Sequence, residues 1–453
     1  MSRYFSGHKL CSYVKSNIRL TFFPTCVMLK ADLEERRVTV ERVILHCDLN
    51  SFFASVELLE HPELREKPVA VCGNPSTRHG IILAKNEVAK RFQVQTAETV
   101  WQARKKCPDL ILLPSHHAKY RAFSQRVNSI YQRYTDLVEP FGIDESWLDV
   151  TGTLHLFGKN GRELADELRA VLRSELGLTI SVGVSFNKVF AKLGSDYRKP
   201  NATTVIAPSN WKPIIWPLPV SDLLFVGRAA TRILNRYGIF TIGQLANANQ
   251  ALLVTLLGKQ GAQLHDYARG LDTSPVRPAG QRPPPKSVGN GMTFRHNLTE
   301  WAELRSALDL LCDSVATRLR QSQMKCASVQ ITLRDSDFQT ITRQAPLSPP
   351  TNLARELATG AMALLRKNWH PHKPVRMLTI TGLRLIPEWD AVEQLDLFQP
   401  DSHIQRAKLE QLERTVDSIR AKYGSDAIVL GSVAAQSDLY GGSDDTPEQF
   451  DPS

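Results

Sequence analysis

From residue 42 the chain alternates short apolar runs with amphipathic ones. RVILHCDL is apolar and closes on Asp48, the pattern of a buried strand with an acid at its exit. SFFASVELLEH then reads as a helix start, with Ser51 in the capping position. VAVCG predicts a strand running into a turn, and GIILAKNEVAKRF a strand running into a helix. Residues 118–136 carry helical periodicity as far as RYTD. LVEPFGI and SWLDV predict two strands separated by Asp144 and Glu145, which leaves room only for a hairpin. ELADELRAVLRSEL is a further helix and LTISVGVSF a further apolar strand, so strands and helices alternate as in an α/β layer.

The pattern changes at residue 209. SDLLFVGRAATRILNRYGIFTIGQLA predicts two short helices divided by glycines, and LLVTLLGKQGAQLHDYARG continues as helix. VRPAGQRPPPK has too much proline and glycine for regular structure and reads as a linker. Beyond it, KSVGNGMTF, ASVQITLRDSDFQTITR and VRMLTITGLRLI predict strands. The helices ELRSALDLLCDSVATRLRQ and LARELATGAMALLRKN lie between them. Residues 404–423 predict a helix with Leu409, Leu412, Val416 and Ile419 on one stripe.

Composition narrows the class. A chain of 453 residues accommodates two to four domains. Seven scattered cysteines without a CxxC pair argue against a disulfide framework or a zinc site and for a reducing cytosol. Pro24 and Cys26 break the apolar run LTFFPTCVMLKA, which excludes neither a dispensable extension nor a start at Met28 but fits a signal peptide poorly. The formal charge of +10 is uneven. From Pro387 onward 5 Lys/Arg face 14 Asp/Glu, a net of −9, which leaves +19 on residues 1–386. A basic body with an acidic tail is the asymmetry of a nucleic-acid binder.

If their strands are neighbours, Asp48, Asp144 and Glu145 converge at one sheet edge. Spacing alone equally allows three unrelated surface acids. Converging carboxylates repel unless a hard cation neutralises them, and all-oxygen ligands suit magnesium or manganese. HCDLNSFFASVE, FGIDESWLDVTG, SVGVSFNKVFAKLGSDYRKPN and KSVG, in that order, resemble the Y-family DNA polymerases of the DinB, or DNA polymerase IV, branch. The resemblance runs from about residue 42 to about 386 and implies an α+β right-hand-like polymerase. Its palm, with a ferredoxin-like mixed sheet, would span 42–51 and 117–208, and its fingers 52–116. A helix–hairpin–helix thumb at 209–276, a linker at 277–286 and an α/β little finger at 287–386 would follow. Residues 1–41 would be an extension and 387–453 an acidic tail.

The resemblance assigns Asp48, Asp144, Glu145 and the carbonyl of Leu49 to two Mg²⁺ ions, with Mn²⁺ as the substitute. It implies template-directed, low-fidelity, distributive translesion synthesis from a primer 3′-hydroxyl, hence roles in DNA repair and damage tolerance. Asn50 stands where many relatives have an acid. Phe53 matches a steric gate against a 2′-hydroxyl, while Phe52 reads as core. Lys90 and Lys199 match triphosphate contacts, although Ala84, Glu87 and Lys90 depart from the usual threonine, tyrosine and arginine. Lys85 is a substitute for the lost contact. In the thumb, Phe225 replaces a usual glycine and only Gly227 remains. Arg295, Arg334 and Arg343 are expected to share a phosphate-binding sheet face. QLDLF, with Gln394, Leu395, Leu397 and Phe398, resembles the sliding-clamp binding peptide. Primer-template DNA, deoxynucleoside triphosphates and the clamp are the expected partners of a cytoplasmic, nucleoid-associated monomer that does not touch membrane. A retired DNA- and clamp-binding protein and a cyclase-like palm enzyme are the rival readings.

Overall fold

The computed structural model describes residues 41–74, 80–281, 283–370, 373–391 and 400–434. Two units divide the chain, Met1–Arg42 and Val43–Ser453, and the architecture below is that of the second. The N-terminal run with Met28 and the QLDLF segment lie outside the described residues. Among the described residues no helix is long and apolar enough to cross a membrane.

The first sheet contains β1 (Ile44–Leu49), β5 (Val138–Pro140), β6 (Glu145–Asp149), β7 (Ile180–Ser185) and β8 (Thr203–Ile206), in the order β5-β6-β1-β7-β8. β1 sits between β6 and β7, antiparallel to both, and β7–β8 are parallel. Strand alternation divides the residues of β1 between two faces. Leu45, Cys47 and Leu49 join the main core with Leu164, Leu168 and Leu172 of α5 (Gly161–Leu176). Ile44 goes to the other face, against Ala191 of α6 (Lys188–Tyr197), so His46 and Asp48 share the α6 side. Asn160 and Glu163 form a capping box that starts α5. The Asn187 side chain caps α6 by accepting from the Phe190 amide.

Ahead of these lie α1 (Phe52–Glu57), α2 (Glu87–Arg91), α3 (Val100–Lys106) and α4 (His117–Tyr131). A small sheet, β3-β2-β4, combines β2 (Val69–Cys72), β3 (Ile82–Lys85) and β4 (Ile111–Pro114) around its own core. α4 ends at Tyr131, short of the expected residue 136, because the chain turns there and pins Thr135 Oγ1 to the Asp149 carbonyl at 2.7 Å. Ser51 does not cap α1: its backbone is left-handed (φ 50°) and its hydroxyl donates to Glu87 Oε1 at 3.0 Å.

Four helices, α7 (Arg228–Arg236), α8 (Ile242–Asn247), α9 (Gln250–Leu257) and α10 (Lys259–Ala268), share a core with Val189, Phe190 and Leu193 of α6 and Ile206 of β8. Phe225 adopts φ 68°, the left-handed conformation that favours glycine, which accounts for glycine at this point of the usual hairpin motif. The linker is irregular as expected, yet its first residues are tied down. The Arg277 amide and guanidinium both donate to Glu139, at 2.9 and 2.8 Å, and the Ala279 amide donates to the Asp136 carbonyl at 2.8 Å.

The last sheet, β11-β10-β12-β9, is antiparallel throughout. It is built from β9 (Ser287–Leu298), β10 (Met324–Asp335), β11 (Thr340–Thr351) and β12 (Val375–Pro387). One face packs on α11 (Trp301–Gln321) and α12 (Ala354–Asn368). Register corrects one expectation. Arg334 lies opposite Thr340 on the open face, but Arg343 lies opposite the buried Ile331, so it points to the helix side, where it donates to Asn368 Oδ1 at 3.1 Å. Arg295 follows the buried Phe294 and shares the open face with Arg334.

The helix near residue 404 extends over Pro400–Tyr423 (α13); Leu409, Val416 and Ile419 of its stripe are half-buried, and ion pairs hold it as well. Leu412 is exposed. Buried Arg320 binds Glu413 and Asp417, while Arg406 pairs with Glu356, Lys325 with Glu410 and Arg420 with Asp313.

Candidate active site

The register of β1 and β6 sets Asp48 directly opposite Glu145. At the hairpin tip the Asp144 carbonyl accepts from the Leu49 amide at 2.9 Å, which locks the turn to the end of β1. Asn50, buried beside them, donates to Thr179 Oγ1 at 3.2 Å and accepts from Ser181 Oγ at 2.8 Å. An amide at this position therefore braces β1 to β7 without adding a fourth negative charge.

One oxygen each of Asp48 and Glu145, together with a nitrogen of His46, lie within 4.8 Å of one another. The Asp144 carboxylate stands outside this tight group but senses both acids. Burial raises it to about 6, and the charges of Asp48 and Glu145 push in the same direction. Burial also works against ionised Glu145, but the His46 hydrogen bond and the Lys192 charge outweigh it and hold Glu145 at about 2. The expected trio therefore gathers as two acids in close contact with a third alongside.

Two lysines enter the cluster from α6 and its C-terminal end. Lys192 Nζ lies 3.1 Å from Asp48 Oδ2 and 2.5 Å from Glu145 Oε2, and Lys199 Nζ lies 2.7 Å from Asp48 Oδ2. Asp196 anchors both lysines, at 3.4 and 2.7 Å. Burial lowers the pKa of each, yet the surrounding carboxylates raise both on balance.

His46 completes the far side. His46 Nδ1 and the Lys192 carbonyl oxygen each lie 2.8 Å from Ser195 Oγ, so the serine hydroxyl ties the ring to α6. Burial lowers the pKa of the ring, and Nε2 faces Glu145 Oε2 at 3.2 Å, the contact that helps hold Glu145 ionised. Buried carboxylate oxygens gathered this closely call for a cation, and a lysine ammonium already stands among them. The donor set thus fits a divalent metal.

The remaining expected contacts lie apart. Phe52 is buried, as expected of core, whereas Phe53 is partly exposed. Lys90 Nζ is bound to Glu87 Oε1 at 2.5 Å, and Lys85 Nζ donates to Thr96 Oγ1 at 2.9 Å, so neither reaches the acids. Sequence reasoning missed His46 and Lys192. A period-of-two reading from Asp48 back to His46 points to the first, and the helical spacing of Lys192 and Asp196 points to the second.

Comparison with known proteins agrees with this architecture. Residues 47–196 match the profile of the impB/mucB/samB family, and residues 285–397 match that of its C-terminal domain. A Y-family DNA polymerase chimera of solved structure superposes with a TM-score of 0.68 at 23% identity, over 76% of this chain and 99% of the chimera. The fold is that of the Y-family polymerases, with palm, fingers, thumb and little finger. A DNA polymerase IV from Acetivibrio thermocellus is 48% identical over 86% of this chain and 97% of its own length. A DNA polymerase IV 1 from Bacillus subtilis is 38% identical over 86% and 93%. The chain belongs to the DNA polymerase IV family, whose members are translesion DNA polymerases.

Proposed function

We propose that the chain extends a primer 3′-hydroxyl with deoxynucleotides on a DNA template, with Asp48, Asp144, Glu145 and the Leu49 carbonyl as the metal ligands. The observation that carries this reading is the register of Asp48 against Glu145 around a shared ammonium. Two magnesium ions, or manganese in their place, would neutralise triphosphate charge and acidify the primer hydroxyl. The chain's own residues do the rest. Glu145 stays ionised at every working pH. Lys199 sits beside Asp48, where a lysine can transfer its charge from carboxylate to triphosphate. Lys90 meets the triphosphate after leaving Glu87, and Phe53 collides with a ribose 2′-hydroxyl.

In this reading the palm spans 42–51 and 117–208, the fingers 52–116, the thumb 209–276, the linker 277–286 and the little finger 287–386. The open face bearing Arg295 and Arg334 meets DNA phosphates. The segment with Gln394, Leu395, Leu397 and Phe398 engages a sliding clamp, and the protein works as a monomer at the nucleoid. Primer extension with magnesium tests the core of it. Wild type is expected to extend, and Asp144→Ala with Glu145→Ala is not. Extension by the double variant, or binding of DNA without extension by the wild type, removes the reading.

A further inference from the structure

Phe53 does not stand alone. Its ring lies flat on Tyr120, with centroids 4.1 Å apart and planes 11° from parallel, and His117 closes on it edge-on at 5.6 Å. Tyr120 is fully buried, and its hydroxyl donates to Glu57 Oε1 at 2.5 Å. Glu57 is buried too. His116 Nδ1 lies 3.0 Å from the same oxygen, and Lys119 Nζ lies 3.3 Å from the other.

The arrangement joins two helices at one point. Phe53 and Glu57 stand four residues apart on α1, hence on one face. His117, Lys119 and Tyr120 come from the first turn of α4, and His116 immediately precedes it. A buried carboxylate is costly unless donors surround it, and here a phenol and a lysine supply them. Once surrounded, it fixes the phenol, because moving Tyr120 would strand a buried acceptor. The fixed phenol in turn fixes the plane of the ring stacked on it. A stacked pair of this kind favours one ring orientation beyond what its buried area alone supplies.

We propose that Tyr120 and Glu57 are positioning residues for sugar selection: Glu57 anchors the phenol, and the phenol holds Phe53 where a 2′-hydroxyl must collide with it. The inference rests on the reading of Phe53 as the sugar gate and names the parts that make the gate rigid. A ring free to tilt gives way to a ribose, so loosening the support admits ribonucleotides without removing the ring.

The test measures kcat and KM separately for single incorporation of a deoxynucleotide and the matching ribonucleotide opposite one template base. Five proteins are compared: wild type, Phe53→Ala, Tyr120→Leu, Tyr120→Phe and Glu57→Gln. Tyr120→Leu is expected to lower the deoxy-to-ribo ratio of kcat/KM by about tenfold or more, chiefly through a lower ribonucleotide KM. Tyr120→Phe keeps the stack and loses the anchor, and is expected to lower the ratio about threefold. Glu57→Gln keeps an acceptor for the phenol and is expected to restore most of the wild-type ratio. Should Tyr120→Leu not fold, Tyr120→Phe against Glu57→Gln carries the same comparison at constant volume. A ratio unchanged in both Tyr120 variants, while Phe53→Ala relaxes it, overturns the support and leaves the gate standing. An unchanged ratio in Phe53→Ala overturns the gate itself. Equal losses toward both sugars make Tyr120 a folding residue only and also overturn the inference.

Discussion

Lys192 Nζ lies 2.5 Å from Glu145 Oε2, so a cation supplied by the protein occupies the position where the acids draw positive charge. The same ammonium reaches Asp48 Oδ2 at 3.1 Å. Lys192 therefore stabilises the acid cluster before any metal arrives and competes with that metal afterwards.

Replacing it separates the two effects. Lys192→Ala is expected to lower the melting temperature of the metal-free protein and to tighten Mn²⁺ binding about tenfold, since a nearby positive charge is removed. Electron paramagnetic resonance titration of free Mn²⁺ measures the second effect directly. Weaker binding in the variant would mean that the lysine helps hold the metal.

Metal affinity is expected to depend on pH through Asp144. Its carboxyl titrates near 6, so it is neutral below that pH and anionic above it. Mn²⁺ binding then strengthens as pH rises through about 6, and Asp144→Asn binds weakly with a flat profile. The raised value also makes the metal-free fold more stable below the ordinary carboxyl range, a contribution lost as pH rises through 6. Denaturation of wild type against Asp144→Asn at pH 4 and pH 7.5 checks that sign.

Gly183 lies opposite His46 in the β1–β7 register, beneath α6. A Cβ there would lie 1.9 Å from the Ala191 carbonyl oxygen and 2.4 Å from the Ser195 amide nitrogen, both backbone atoms that cannot turn aside. Gly183→Ala is expected to cost about 3 kcal/mol in urea unfolding, because it lifts α6 off the sheet. The lift also separates Ser195 from His46 and Lys192 from Glu145, so Mn²⁺ affinity should change with stability.

Arg320 is the buried centre of the ion pairs that hold α13. Arg320→Ala leaves Glu413 and Asp417 without their shared partner and is expected to cost about 3 kcal/mol of docking. Amide exchange over residues 404–423 should then accelerate about a hundredfold, while primer extension persists. Unchanged exchange would mean that Lys325, Arg406 and Arg420 suffice.

For the clamp, deletion of residues 394–398 should abolish stimulation by a sliding clamp while synthesis on bare primed DNA continues. Full stimulation in the deletion variant rules this segment out as the attachment point.

Elements with a single strong period could be read from the sequence. β1 and β7 carry apolar strand patterns and α5 a clear helical one, and the short connection pointed to the β5–β6 hairpin, whose turn is four residues, 141–144, with Glu145 already in β6. Asp48 and Glu145 were readable as a pair because strand exits and hairpin tips share a sheet edge. His46 was not, since a histidine in an apolar strand looks like core until its neighbours are known. The ion pairs that hold α13 were not legible for a related reason. Leu409, Leu412, Val416 and Ile419 do share a stripe, but the matching surface offers Arg320 and Lys325, and the periodicity of one helix says nothing about its partner. The position of Arg343 depended on the β10–β11 register, which a one-residue shift would reverse.

Glu139 anchors Arg277, the Asp136 carbonyl holds Ala279, and the Gln281 amide turns back to the Pro278 carbonyl, so the first half of the linker is fixed in place. From Gln281 to the strand at Ser287 roughly six residues remain, a maximum span of roughly 20 Å. A tether that short keeps the last sheet at an effective concentration on the order of millimolar near the palm, so release of DNA by one need not end its capture by the other.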